Sequence, residues 1–119
     1  MYVQGFLIAV PEAKKEAYRA MAAKSAEKFA EYGVSEIVEG WEEDVSDGKV
    51  TDFCMATKAE PGEKIVFSWM IWPDKATCDA ASAKMQDDPF WQEEFSGMPF
   101  DGMRMIWGGF SPLFTMGRD

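Results

Sequence analysis

Lys64-Ile65-Val66-Phe67-Ser68-Trp69-Met70-Ile71-Trp72 is the stretch on which the fold turns. β-branched and aromatic residues dominate it and Pro73 ends it, so it reads as a strand. Successive side chains of a strand point to opposite faces. Ile65, Phe67, Trp69 and Ile71 therefore share one side, and Val66, Ser68, Met70 and Trp72 share the other. Both sides are oily, so this strand needs cover above and below.

Two further segments behave the same way. Tyr2 to Val10 sets Val3, Leu7 and Ala9 against Tyr2, Phe6, Ile8 and Val10, and Met103 to Phe110 sets Met103, Met105 and Trp107 against Ile106 and Phe110. Between them the apolar positions Ala13, Ala17, Tyr18, Met21, Ala22, Phe29 and Tyr32 recur near helical spacing, which predicts one helix over Glu12–Tyr32, stopped by Gly33. Val34 to Glu43 is a strand whose Ile37 and Trp41 alternate with polar positions, although Glu39 lies on their side of the pleat; its glutamates suggest a wet edge. Asp47-Gly48 is a turn signal, after which Val50 to Lys58 reads as another strand. Glu60-Pro61-Gly62-Glu63 suits a type II turn, Asp74 suits a helix cap, and Asp88-Pro89 opens a second short helix.

The order is strand, long helix, strands, helix, strand. The fold class expected is α+β: a ferredoxin-like antiparallel sheet with helices on one face, in a single domain over residues 1–119. That plan places two strands between its helices where the sequence offers three. Val50 to Lys58 is the one expected to be added or peripheral.

Helices on one face leave the other bare. Four strands about 4.8 Å apart and about 17 Å long project roughly 330 Å², at or beyond what a monomer normally exposes. Pairing two such faces buries at least about 650 Å², on the order of 16 kcal/mol gross, against an association cost of about 4 to 15 kcal/mol. The sequence therefore predicts a homodimer, its alternative being that the tail beyond Phe110 or the irregular strands cover the face within one chain.

Composition narrows the function. The chain has 119 residues, 12 basic against 21 acidic, a net charge of −9, and no histidine. An acidic surface without a segregated basic patch repels phosphate backbones and anionic lipid, so neither nucleic acid nor membrane is an expected partner. The run Ile65–Trp72 is far too short to span a bilayer, and Pro11 and Glu12 interrupt the N-terminal apolar run before a signal-peptide core is complete, which makes the cytoplasm the expected location. Lack of histidine excludes Ser-His triads, histidine-ligated metals and histidine-bound haem. No Gly-x-Gly-x-x-Gly or P-loop spacing occurs, and Gly108-Gly109 fits a close backbone approach or a bulge. Cys54 and Cys78 are expected as inert core thiols, and the acidic run Glu42, Glu43, Asp44, Asp47 as a solvated turn. No cofactor and no metal is expected.

Three polar residues interrupt apolar strand faces: Gln4, Ser68 and Arg104. A buried polar group needs a partner, an arginine most of all. The first strand of the expected order lies between the other two, so the three are candidates for one ligand-binding site, with Trp41, Trp69 and Trp107 as candidate pocket lining. The functional reading makes Arg104 an anchor for an anion or carbonyl. The structural reading makes it a register-fixing ion pair with Asp101 or an acid of the partner.

Tyr2-Val3-Gln4-Gly5-Phe6, Asp44-Val45-Ser46-Asp47-Gly48-Lys49-Val50-Thr51-Asp52-Phe53, Val66-Phe67-Ser68-Trp69 and Met98-Pro99-Phe100-Asp101-Gly102-Met103-Arg104-Met105-Ile106-Trp107-Gly108-Gly109-Phe110 resemble the bacterial YbaA-like family, a domain of unknown function. The chain departs from that pattern at Gly40, where a cysteine is expected, and at Trp107, where a tyrosine is usual. The family is similar to the dimeric α/β-barrel superfamily, which includes monooxygenases, isomerases and haem-degrading enzymes. The resemblance implies a ferredoxin-like fold and back-to-back sheets in a dimer, and brings no catalytic residue with it. The function expected is binding of a small apolar or anionic molecule, with a cofactor-independent oxygenase or isomerase as the enzymatic form. The alternative is a noncatalytic structural or interaction protein acting as a homodimer.

Overall fold

The computed structural model describes residues 1–118. Its strands are β1 (Tyr2–Pro11), β2 (Glu36–Trp41), β3 (Glu63–Trp72) and β4 (Ile106–Phe110), and its helices are α1 (Lys15–Glu31), α2 (Phe53–Thr57), α3 (Lys75–Asp87) and α4 (Pro89–Phe95). The strands form one antiparallel sheet in the order β2-β3-β1-β4. This is the ferredoxin-like α+β arrangement, with α1, α3 and α4 layered on one face. β3 and β1 are the inner strands, as their two-sided apolar patterns require.

The punctuation residues act where their chemistry directs. Gly33 takes φ 101° after α1, and Gly62 takes φ 86° in the turn whose Glu63 N–H donates to the Glu60 carbonyl at 3.1 Å. Asp74 accepts from the Thr77 N–H at 2.7 Å and starts α3, while Asp88 accepts from the Phe90 N–H at 3.0 Å and starts α4 with Pro89 in the first turn. Glu12–Lys14 is a separate 3-10 turn, so the long helix begins three residues later than its periodicity suggests.

Val50 to Lys58 is not a strand. Asp52 accepts from the Met55 N–H at 2.6 Å and the Gly48 N–H at 2.9 Å, capping the short helix α2, which Lys58 closes in the left-handed region at φ 53°. A capped turn satisfies backbone groups that a strand here would need a neighbour to pair. α2 lies on the face of the sheet opposite α1, with Phe53 edge-on to Phe67 at 6.1 Å.

Met103 to Arg104 also departs from the strand pattern. Asp101 accepts from the Met103 N–H at 3.0 Å and caps a 3-10 turn over Gly102–Arg104, so β4 starts only at Ile106. Gly109 in β4 allows the close approach its sequence suggests: a Cβ there would collide with the Tyr2 hydroxyl.

Two packed clusters make the core on the helical face. Ile8, Val10, Tyr18 and Val66 form one, and Met70, Trp72, Cys78 and Ala81 form the other. Between them the sheet and helices part.

Candidate functional site

The parting is a cavity of about 600 Å³ between the sheet and α1, α3, α4 and the segment leading to β4. Its floor is the inward row of each strand: Gln4, Phe6 and Ile8 from β1, Ile37 and Glu39 from β2, and Ser68, Met70 and Trp72 from β3. Its roof is carried by Tyr18, Met21 and Phe29 of α1, Met85 of α3, and Trp91 and Phe95 of α4. The volume is that of a small-molecule site, and the walls are almost wholly apolar.

α4 is fastened to α1 by a compact network. The Tyr32 hydroxyl donates to Asp88 at 2.7 Å, Trp91 Nε1 donates to the same hydroxyl at 3.1 Å, and Lys28 Nζ lies 2.9 Å from Asp88. The Lys28 ammonium, with the Tyr32 and Phe90 donors, holds the Asp88 carboxyl down at about 2. Phe29 meets Trp91 with ring centres 4.9 Å apart, completing that end of the roof.

The polar corner rests on β2 and β3. Glu39 is paired directly opposite Ser68 in the sheet register, and its side chain points inward with Ile37. Tyr18, buried on α1, donates its hydroxyl to Glu39 Oε1 at 2.6 Å. Among the described residues Glu39 is the one charged side chain in the cavity wall. Glu39 is an exposed residue of β2, its surface open to this cavity and to a second hollow of about 320 Å³, lined on its other side by Lys15, Arg19 and Trp41. Loss of hydration raises the Glu39 carboxyl above its ordinary value, while hydrogen bonds from Tyr18 and Ser68 pull the other way. Burial and the neighbouring carboxylate push the Tyr18 hydroxyl far up, so it remains a donor.

Gln4 stands one row away on β1, opposite Met70. Trp72 Nε1 donates to Gln4 Oε1 at 2.8 Å. An indole N–H can only donate, so this bond fixes the amide's orientation and leaves the Gln4 amide N–H group as a donor in the cavity wall.

The sequence candidates thus separate. Gln4, Ser68 and Trp107 line the cavity. Trp41 lines the second hollow, with Lys15 Nζ 5.3 Å from its ring centre. Trp69 points to the opposite face, where its Nε1 donates to Glu36 at 2.9 Å. Arg104 does not join Gln4 and Ser68, because the 3-10 turn carries it away from the strand row. It forks onto Glu63 with both contacts at 2.8 Å, and also donates to Asp101 at 3.0 Å and to the Lys58 carbonyl at 2.9 Å. The guanidinium is spent in tying the β4 approach to the start of β3, and no lysine or arginine lines the large cavity among the described residues.

Sequence reasoning missed Glu39 and Tyr18 as a pair. The signal was present: Glu39 breaks the inward apolar alternation of Ile37 and Trp41, the same anomaly that marked Gln4 and Ser68. Neither cysteine offers a thiolate, since burial pushes both thiols up. Among the described residues no cluster of three or more Cys, Asp or Glu gathers at metal-binding distance, and no helix is long and apolar enough to cross a membrane.

By structure the chain is similar to a variant of SnoaB, a cofactor-independent oxygenase from Streptomyces nogalater, with a TM-score of 0.58 over 98% of both chains at 14% identity. It also aligns with Rv0793 from Mycobacterium tuberculosis, with a TM-score of 0.48 over 97% of this chain and 98% of that one at 14% identity. Likeness at such identity concerns the fold alone. The sequence relatives are far nearer: YbaA of Escherichia coli K12 is 57% identical over 112 residues, covering 94% of this chain and 96% of the relative, and YbaA of Shigella flexneri matches equally. Residues 1–102 match the family described as "Protein of unknown function (DUF1428)", and the chain belongs to that family.

Proposed function

We propose that the protein is a cytoplasmic homodimer that binds a small, neutral, mainly apolar molecule between its sheet and helices, and that its enzymatic form is a cofactor-independent oxygenase or isomerase. The observation that carries this reading is an apolar cavity of about 600 Å³ whose few polar lining residues include Gln4, Tyr18, Glu39 and Ser68. Apolar walls supply affinity, and a few placed polar groups supply orientation. The anionic ligand suggested by Arg104 gives way to a neutral one, because among the described residues the sole charge in the wall is a carboxylate. SnoaB supports the oxygenase option by fold only.

Two dyes of opposite character test the reading. Nile red, neutral and apolar, is expected to brighten on a saturable site at one per chain, while anionic 8-anilinonaphthalene-1-sulfonate is expected to bind at least about 10-fold more weakly, the worth of about 1.4 kcal/mol. Ser82 lines the cavity from an exposed position on α3, so Ser82→Trp is expected to block Nile red without unfolding the chain. Nile red bound equally well by Ser82→Trp, or not bound by the wild type, overturns the assignment.

The second reading is a noncatalytic structural protein, and Arg104 is the observation that favours it. Every polar nitrogen of its guanidinium is used in holding the chain to itself.

A further inference from the structure

We propose that Glu39 carries a proton between two carbons of a neutral, mainly apolar ketone, so that the cavity shifts a carbon–carbon double bond into conjugation with the carbonyl. This rests on the cavity being a small-molecule site, as argued above, and adds the substrate class and the group that moves the proton.

The cavity wall holds a base and a donor. Glu39 lies in the sheet row of Ser68 and Phe6, while Gln4 lies in the adjacent row on the same face, with Ile37 and Met70. Strand spacing and rise put their Cα atoms about 12 Å apart. Both side chains line the same cavity, so a ketone lying across it can meet the carboxylate and the amide. Tyr18 holds one Glu39 oxygen at 2.6 Å, and Ser68 stands directly opposite Glu39 in the sheet register. A carboxylate has about four lone-pair directions, so acceptor capacity remains for a proton. Gln4, oriented by Trp72, presents N–H donors that a ketone oxygen needs and that no protein acceptor takes among the described residues.

The step balances without a further reactant. The Glu39 carboxylate removes a proton from the carbon between the carbonyl and the double bond of a β,γ-unsaturated ketone. The C–H electron pair forms a new carbon–carbon π bond, and the carbonyl π pair moves onto oxygen, where the Gln4 amide donates to the enolate. When the carbonyl re-forms, the pair of the original double bond takes the proton back from Glu39 at the γ carbon. The product is the α,β-unsaturated ketone, Glu39 is again ionised, and nothing is oxidised or reduced. Partial loss of hydration on the cavity side raises the Glu39 carboxyl, which makes it a somewhat stronger base than an ordinary carboxylate. Because Glu39 also borders the hollow beside Lys15 and Arg19, its proton has a route to solvent, and solvent deuterium enters the ketone during turnover.

The test uses 2-tetralone, a neutral bicyclic ketone with acidic protons beside its carbonyl. Binding is read by quenching of the cavity tryptophans, and exchange by proton NMR in D2O. The wild type is expected to bind the ketone and to exchange those protons at least about 100-fold faster than Glu39→Gln, which keeps its binding. Gln4→Leu is expected to bind and to exchange more slowly. Binding without exchange overturns the proton transfer and leaves the binding site standing; absence of binding overturns both. Exchange undiminished in Glu39→Gln also overturns the proposal. Should circular dichroism show that Glu39→Gln is unfolded, Glu39→Asp takes its place. Withdrawing the carboxylate by one methylene is expected to slow exchange at least about 10-fold, and an unchanged rate overturns the assignment.

Discussion

At Glu39 the fold tolerates what folding alone would remove. Its carboxyl is raised by loss of hydration, so the native chain holds the proton more tightly than the unfolded chain does. Stability therefore falls as pH rises from the ordinary glutamate value of 4.5 through the raised one, and stays lower above it. Glu39→Gln keeps an acceptor for Tyr18 and discards the charge. Its thermal midpoint at pH 7 is expected to exceed that of the wild type, and the wild-type decline between pH 4.5 and neutrality is expected to flatten, both read by circular dichroism. Arg104 is the opposite case. Its fork onto Glu63, whose side chain is 8% exposed, is structural. Arg104→Met strands that carboxylate, so the thermal midpoint is expected to drop while Nile red affinity in the remaining folded protein holds. A variant of unchanged midpoint that has lost dye binding would return Arg104 to the cavity. The contrast shows what a sequence tells at this scale. Polar interruptions in apolar rows were legible at Gln4, Ser68 and Arg104, but the rows themselves depend on where a strand begins, and Asp101 capping a 3-10 turn removed Arg104 from its row.

Between elements, the roof over the cavity depends on one carboxylate. Asp88 caps α4 and joins it to α1 through Tyr32 and Lys28. Its carboxyl, lowered from 3.8 to about 2, contributes stability that is present above 3.8 and lost as pH falls through the lower value. Trp91 hydrogen-bonds Tyr32 and packs on Phe29, so its fluorescence reports the α4 dock. Acidification from pH 4 toward pH 2 is expected to shift Trp91 emission to the red, and Asp88→Asn to show the shifted emission already at neutral pH. Emission from Asp88→Asn that matches the wild type at neutral pH would show that the network does not hold the roof. Strands β1 and β3 and the caps at Asp74 and Asp88 were readable because each is local: alternation, a turn glycine, a carboxylate two or three residues before a helical amide. α2 was misread because Val50 to Lys58 has too little periodicity to choose between strand and turn, and the choice fell to Asp52 bonding backward to Gly48 and forward to Met55.

Across the whole molecule, the sheet has one face under three helices and another that its own chain covers only in part. At one end α2 shields the region where Ala9 and Ile65 are buried. At the other the chain leaves β4 and returns to the opposite edge, where Arg118 reaches Glu36 at 3.3 Å. The crossing does not cover the face: Phe67, Ile106 and Phe110 stay 49%, 42% and 61% exposed, and the crossing segment adds Leu113, Phe114 and Met116, each at least 84% exposed. A monomer that kept this surface in water would forgo burial worth about 25 cal/mol for each Å². Two copies meeting through the same patch recover it with a closed, isologous contact, whereas a head-to-tail contact would leave one such face open at each end. Light scattering at micromolar concentration is therefore expected to give twice the chain mass of 13.4 kDa. Phe110→Glu, which places a charge on the sheet face opposite the cavity, is expected to give 13.4 kDa with an unchanged far-ultraviolet spectrum. A wild-type particle of single-chain mass would mean that the apolar face is stable in water, and the area comparison behind the homodimer would fail.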